Sequence, residues 1–161
     1  MFNQLLAEEK GLKLGLAPQS VTGSYVAGSR ISLKDSHKVA VVIAMAASAS
    51  AVLNVKLEQH DAASGGNTQA LAITNHYFHK VGSATEFTKV EVAVAEDIYD
   101  LVATVGNNTA LVVFEINESD LDVADNFSHI SVSVQGDATA RIVSAVYVAD
   151  VDQKPAYSVD L

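Results

Sequence analysis

Apolar residues recur at every second position along much of this chain, and that period restricts it to β-structure. Leu53, Val55 and Leu57 alternate with Asn54, Lys56 and Glu58. Val90, Val92 and Val94 alternate with Lys89, Glu91 and Ala93, and Ile130, Val132 and Val134 with Ser131, Ser133 and Gln135. Successive side chains of a strand point to opposite faces, so each run places an apolar stripe toward a core and a polar one toward water. Ile31 and Leu33 begin the pattern. Two fuller runs, VAVVIAMAA at 39–47 and LVVFEI at 111–116, read as strands buried on both faces. Further strands are expected within 69–79, where Tyr77 and Phe78 stand, and at 142–148. Residues 97–105 fit either a short helix or a strand, because Ile98, Leu101, Val102 and Val105 also match a 3.6 period.

Polar punctuation separates these runs. HDAASGGNT at 60–68 predicts a loop, Asn107-Asn108 and Gly136-Asp137 predict turns, and 117–126 predicts a loop pegged by Leu121. The sum is about eight strands, with no alternating helices to support a parallel sheet. The expected fold is an all-β, antiparallel two-sheet sandwich, for which a jelly roll is one arrangement, with an extended N-terminal arm. No repeat of solenoid length is visible. The expected division is an arm and loop at 1–28, the sandwich at 29–149 and a polar tail, marked by Pro155, at 150–161.

At 161 residues the chain suits one domain. It holds 23 Val and 24 Ala but neither Cys nor Trp. Disulfides, a cysteine-based zinc site and a cysteine nucleophile are thereby excluded. A formal charge of −9 argues against nucleic acid or an anionic membrane as partner. The charge is uneven, with seven basic and five acidic side chains over 1–80, and three and fourteen over 81–161. Net charges of +2 and −11 predict an acidic surface turned to solvent and a near-neutral one turned to a partner.

Leu12, Leu14 and Leu16 alternate just before Pro18, Gly23 and Gly28 break the chain. They are the candidate partner contacts. Two placements are open, docking on a neighbouring subunit or folding back onto the chain's own sheet. Ahead of them, Phe2, Leu5 and Leu6 have near-helical spacing. Glu8, Glu9 and Lys10 interrupt the apolar stretch that a secretory signal requires, so export by that route is not expected. The longest uncharged apolar stretch, 39–53, falls short of the roughly 20 residues of a spanning helix.

Chemistry-bearing clusters are few. Glu115, Glu118, Asp120, Asp122 and Asp125 form the densest acidic group. A calcium loop starting at Asp120 would put Asp125 where Gly is required and Ser131 where a bidentate Glu belongs, so a solvated acidic turn is the expectation. Ser119, Asp120 and Asp122 are candidates to cap a helical turn there. His76 and His79 share a helix face but lie on opposite faces of a strand, which is the expected element. No nucleophile elbow or phosphate loop occurs, because Gly65-Gly66 leads into Asn67 and Thr68. No enzyme activity, cofactor or metal is expected. Tyr25, Tyr77, Tyr99 and Tyr157 are the candidates for a carbohydrate platform.

Three stretches carry a resemblance to known proteins. Leu16-Ala17-Pro18 leads to Ile31-Ser32-Leu33-Lys34-Asp35 and the run 39–45; residues 59–71 hold the turn and Gln69-Ala70-Leu71; and VVFEINESDLDVADNFSHISVSV at 112–134 precedes Val146-Tyr147-Val148. In pattern and spacing the chain resembles small virion structural proteins of tailed bacteriophages, of the capsid decoration or cement type. The resemblance implies a subunit made in the host cytoplasm and located on the capsid exterior. Its implied partners are the major capsid protein and its own copies, with a homotrimer favoured. A tail-tube, head-completion or fibre-associated module, binding another virion protein or a carbohydrate, is the alternative.

Overall fold

The computed structural model describes residues 10–34, 36–49, 53–72, 76–92, 97–136 and 139–151. The near-helical segment around Phe2, Leu5 and Leu6, Val94 and the tail from 152 onward lie outside the described residues. Among the described residues twelve strands occur in chain order: β1 (Lys10–Val21), β2 (Val26–Ala27), β3 (Ile31–Ser32), β4 (Ser36–Met45), β5 (Asn54–His60), β6 (Thr68–Ala70), β7 (His76–Val81), β8 (Thr88–Glu91), β9 (Ile98–Asp100), β10 (Ala110–Asn117), β11 (His129–Gln135) and β12 (Arg141–Val151). They form two antiparallel sheets. The first runs β1-β12-β4-β10-β7-β8; in the second, β11 and β5 are central, with β2 and β3 along β11 and β6 and β9 along β5. The all-β sandwich is as expected. The strands beyond about eight are the two- and three-residue pieces β2, β3, β6 and β9, too short to show a periodicity in sequence.

The alternation works at full length in β4, where Val39, Val41, Ile43 and Met45 are buried while Ala40, Val42 and Ala44 are only half-buried. This strand and β10 were expected to be covered on both faces. Each is covered on one, since Val112, Phe114 and Ile116 point inward and Leu111, Val113 and Glu115 outward. From the other sheet, Val55, Leu57, Ile130, Val132 and Val134 complete the core. Tyr77, Tyr99 and Phe114 pack together there, with ring centroids 4.8–6.0 Å apart. Full burial of side chains of this size contributes about 1.5–3 kcal/mol each.

The two-fold ambiguity of 97–105 resolves as both forms: β9 is followed by the one-turn helix α1 (Val102–Val105). The turn after it uses Gly106, at φ 56°, rather than an Asn, and Asn108 donates its side-chain amide to the Val105 carbonyl at 3.2 Å.

Residues 10–21 take the second of their two placements. β1 folds back as an edge strand along β12, from Lys10 opposite Asp150 to Val21 opposite Arg141. The division expected at 28/29 therefore falls inside the sandwich. Lys10, Lys13, Pro18 and two register shifts blunt this long edge against pairing with other chains. Around Gly15 the edge is closed by the chain's own loop, where Ser29 donates its backbone N–H to the Gly15 carbonyl and its hydroxyl to the Leu14 carbonyl.

The expected partition into an acidic and a near-neutral surface does not follow from the chain's two halves. Each sheet interleaves them, with β12 between β1 and β4, β10 between β4 and β7, and β11 beside β5. Ion pairs such as Lys38 with Glu115 at 2.8 Å join one half to the other.

Candidate interaction face

A sandwich has two outward faces, and here they differ in kind. On the second sheet the outward face along β5 and β11 is largely polar and bonded to itself, with Ile98 exposed opposite Lys56. Lys56 Nζ donates to Glu58 at 2.8 Å, Ser133 Oγ donates to the same carboxylate at 3.0 Å, and the Asn54 amide donates to Gln135 at 3.1 Å. Burial works against the charged Glu58, but its bonds from Lys56 and Ser133 outweigh it and hold its pKa below the usual range. The ring of His60 lies 2.9 Å from Thr68 Oγ1 through Nδ1 and 2.7 Å from Ser131 Oγ through Nε2. Arg30 reaches the same corner and donates to the carbonyls of Ala62 and Gly65, pinning the β5–β6 loop. Gly65 and Gly66 turn that loop at φ 64° and 66°, a region few other residues tolerate. Ser131 and Ser133, expected to point to water, are buried because they are short and flanked by long polar neighbours.

Burial, then the nearby Arg30 charge, pushes the His60 pKa below its usual value, and burial alone does the same at His79. At His129 burial acts with Lys34, Arg30 and Lys13. A lowered folded pKa means the unfolded chain takes up the proton first, so stability present above pH ~6.5 is lost on acidification. Urea midpoints are expected to fall between about pH 7.5 and about pH 5.5, and His60→Gln to flatten that fall. An equal slope in the variant would exclude His60 as a contributor.

On the first sheet the outward face is apolar. Strand register sets Leu14 opposite Val146, Val146 opposite Val42, Val42 opposite Val113 and Val113 opposite Phe78. This row crosses five strands without a polar side chain. Beside it, Leu12, Val148 and Ala40 form a second row that ends at Glu115, and Ser144, Ala44 and Leu111 a third that ends at Lys80. Ion pairs of Lys10 with Asp150 and Lys38 with Glu115 mark one end of the face.

Side-chain size varies across the face. Small residues, Ala40, Val42, Ala44 and Ser144, occupy its middle strands, while Leu12 and Leu14 stand on β1 and Phe78 on β7. A depression of 370 Å³ is lined by Ala44, Lys80, Leu111, Ile142 and their neighbours, and a second of 280 Å³ by Phe78, Phe87 and Val113.

Of the three leucines named from sequence, two lie on this face. Leu12 and Leu14 are 55% and 54% exposed, whereas Leu16 is 3% exposed and belongs to the chain's own core. The switch occurs because β1 shifts register between Leu14 and Leu16, which turns Leu16 to the opposite side. The aromatic candidates fare differently. Tyr77 and Tyr99 are core residues, Tyr25 is exposed, and Tyr157 lies outside the described residues. Sequence reading missed Phe78, Phe87, Val113 and Val42 as contact residues, since Val42 and Val113 lie in strands read as buried on both faces.

Three of the acidic residues of 115–125, Glu115, Glu118 and Asp120, have partners. The Asp120 carboxylate accepts from the Asn117 backbone N–H at 2.8 Å, and Glu118 lies 3.5 Å from His37. Leu121 is buried as the expected peg, between two single turns, η1 (Glu118–Asp120) and η2 (Val123–Asp125). Asp122 stands at the N-cap of η2 without a side-chain cap bond. Among the described residues no group of three His, Asp or Glu side chains is arranged to hold a metal ion, and no helix is long and apolar enough to cross a membrane.

No family model matches the chain, and no curated protein matches it. It is similar to a solved structure, the crystal structure of SPBc2 prophage-derived protein YomS, with a TM-score of 0.44 and 13% sequence identity over 86% of this chain and 92% of that one.

Proposed function

We propose that this chain is a structural protein of a bacteriophage virion, which decorates the capsid by seating the outward face of its first sheet on the major capsid protein lattice. The observation that carries the reading is the row Leu14, Val146, Val42, Val113 and Phe78. A sandwich that works alone keeps its outward faces mostly polar, as the second sheet does apart from Ile98. A contiguous apolar face on a soluble chain marks a surface made for contact. Five strands at about 4.8 Å spacing make it roughly 20 Å wide. The patch is then at the small end for a lone specific interface, which favours contacts repeated over a lattice or within a homotrimer. The absence of cysteine from the sequence suits addition to a finished shell without a redox step. No catalytic role, cofactor or nucleic-acid contact enters this reading.

Co-sedimentation with capsids assembled without the protein tests it. Leu14→Asp sits on an exposed edge position and leaves the fold intact, while Val42→Asp strikes the centre of the row. Both are expected to weaken capsid binding at least tenfold, since a desolvated unpaired carboxylate opposes docking by more than about 1.4 kcal/mol. Binding unchanged by both substitutions would remove this face from the reading.

A further inference from the structure

We propose that Lys80 is the polar anchor of the apolar face, and that the docking partner meets it with an Asp or Glu side chain set among apolar groups. The inference rests on the docking reading above and names the chemistry that reading leaves open.

Lys80 and Phe78 are alternate residues of β7, so both side chains leave the sheet on the same side. Across the sheet Lys80 stands opposite Leu111, which follows Ala44 and Ser144 in the third row. The lysine also lines the 370 Å³ depression with Ala44, Leu111 and Ile142, and Ile142 is 58% exposed. Thr109 and Ser144 add hydroxyls to that lining, but no Asp or Glu is among its described residues.

The other described lysines of this face are neutralised within the chain. Lys10 pairs with Asp150, Lys38 with Glu115 at 2.8 Å, and Lys89, opposite Phe78, with Glu91 at 2.6 Å. Lys80 has no ion pair among the described residues. The chain holds 19 acidic side chains against 10 basic ones, so carboxylates are abundant, yet no described one is set beside this cation.

Docking changes the balance at such a group. In the free protein water solvates the ammonium while its aliphatic stem lies against apolar neighbours. Beneath a partner the lost hydration opposes binding unless a carboxylate takes the place of the water. A second copy of the same face does not supply one, because Asp150, Glu115 and Glu91 are already held by lysines. At long range a net charge of −9 repels an acidic partner. The pair therefore acts at contact, as an anchor that slows dissociation rather than as a guide to approach.

Lys80→Met separates an anchor from a lysine that docking merely covers. Methionine keeps much of the apolar stem without the charge, at an outward position whose ammonium has no partner within the fold. In co-sedimentation with capsids assembled without the protein, Lys80→Met is expected to bind about tenfold more weakly, since the partner's carboxylate is then buried unpaired. Lys80→Glu should bind more weakly still, and Lys80→Arg should retain most of the binding. On the capsid, a water-soluble carbodiimide should join the Lys80 amine directly to an Asp or Glu of the capsid protein as an amide, the reagent taking up the lost water as its urea. Lys80→Met that binds as tightly as the parent, or more tightly, would overturn the proposal, because an unpaired lysine only opposes docking. So would a Lys80 cross-link that leads to a second copy of this chain instead. Leu14→Asp and Val42→Asp keep the two readings apart. Binding weakened by them but not by Lys80→Met removes the anchor alone, whereas binding unchanged by all three removes the docking face and the anchor with it.

Discussion

Tyr147→Phe is expected to destabilise the sandwich by about 2–4 kcal/mol, although it deletes one oxygen atom. Tyr147 lies on the inner side of β12 and is fully buried. Its hydroxyl donates to the Ser29 carbonyl at 2.9 Å and accepts the Val132 backbone N–H at 3.0 Å. Ser29 stands where β2 ends and β3 has not begun, so on the side of β11 away from β5 no strand pairs with Val132. Gly28 completes the repair by donating its N–H to the Val132 carbonyl at 2.8 Å. The geometry leaves no slack. A Cβ on Gly28 would lie 2.8 Å from the carbonyl oxygens of Gly15 and Val132, and one on Gly15 would lie 2.8 Å from the Tyr147 ring. Phenylalanine fills the space but leaves the buried Val132 N–H unpaired and takes the donor from the Ser29 carbonyl.

The same residue supplies a pH signature. Burial raises the Tyr147 pKa to about 12, against a smaller opposing effect of the Val132 bond. Ionisation is thus easier in the unfolded chain, so stability is complete below pH ~10 and declines as pH rises toward about 12, by up to about 3 kcal/mol. Chemical denaturation across that range should show a steeper decline in the parent than in Tyr147→Phe. Equal slopes, or a variant as stable as the parent at neutral pH, would contradict the role given to the hydroxyl.

Arg141→Met should cost about 3 kcal/mol and lower the melting temperature by roughly 6–12 °C for a chain of this size. Arg141 is 1% exposed, and among the described residues its guanidinium donates to three carbonyl oxygens. Nε donates to Ala46 at 2.9 Å, Nη1 to Gly106 at 3.1 Å, and Nη2 to Asn108. It therefore ties the end of β4 and the turn after α1 to the start of β12. Burial lowers its pKa, but a guanidinium stays charged far above neutrality. Methionine removes the buried charge, which is a gain, yet leaves three carbonyls without their donor, and the second effect is the larger. Lysine keeps the charge and cannot reproduce the planar fork, so it should rescue less than half of the loss. Calorimetry of both variants checks this, and a methionine variant with an unchanged melting temperature would contradict it.

Much of the fold was legible because strand periodicity is local. Alternation at 53–58 and 130–134 declared strands from a handful of residues, and Leu121 declared its own burial. What lay beyond sequence involved partners far apart in the chain. β2 and β3 are strands only because β11 accepts them, and a two-residue piece has no period of its own. Leucines 12, 14 and 16 look alike in sequence; a register shift against β12 gives two to the surface and one to the core. Tyr77 and Tyr99 looked like surface aromatics until Phe114 was placed between the sheets.

The sequence by itself determined a cysteine-free all-β sandwich, since hydrophobic alternation and composition act within each segment. Tertiary structure alone decided which outward face is apolar. That face takes one valine or leucine from each of β1, β12, β4 and β10 and a phenylalanine from β7, and only the strand order brings those five side chains into one row.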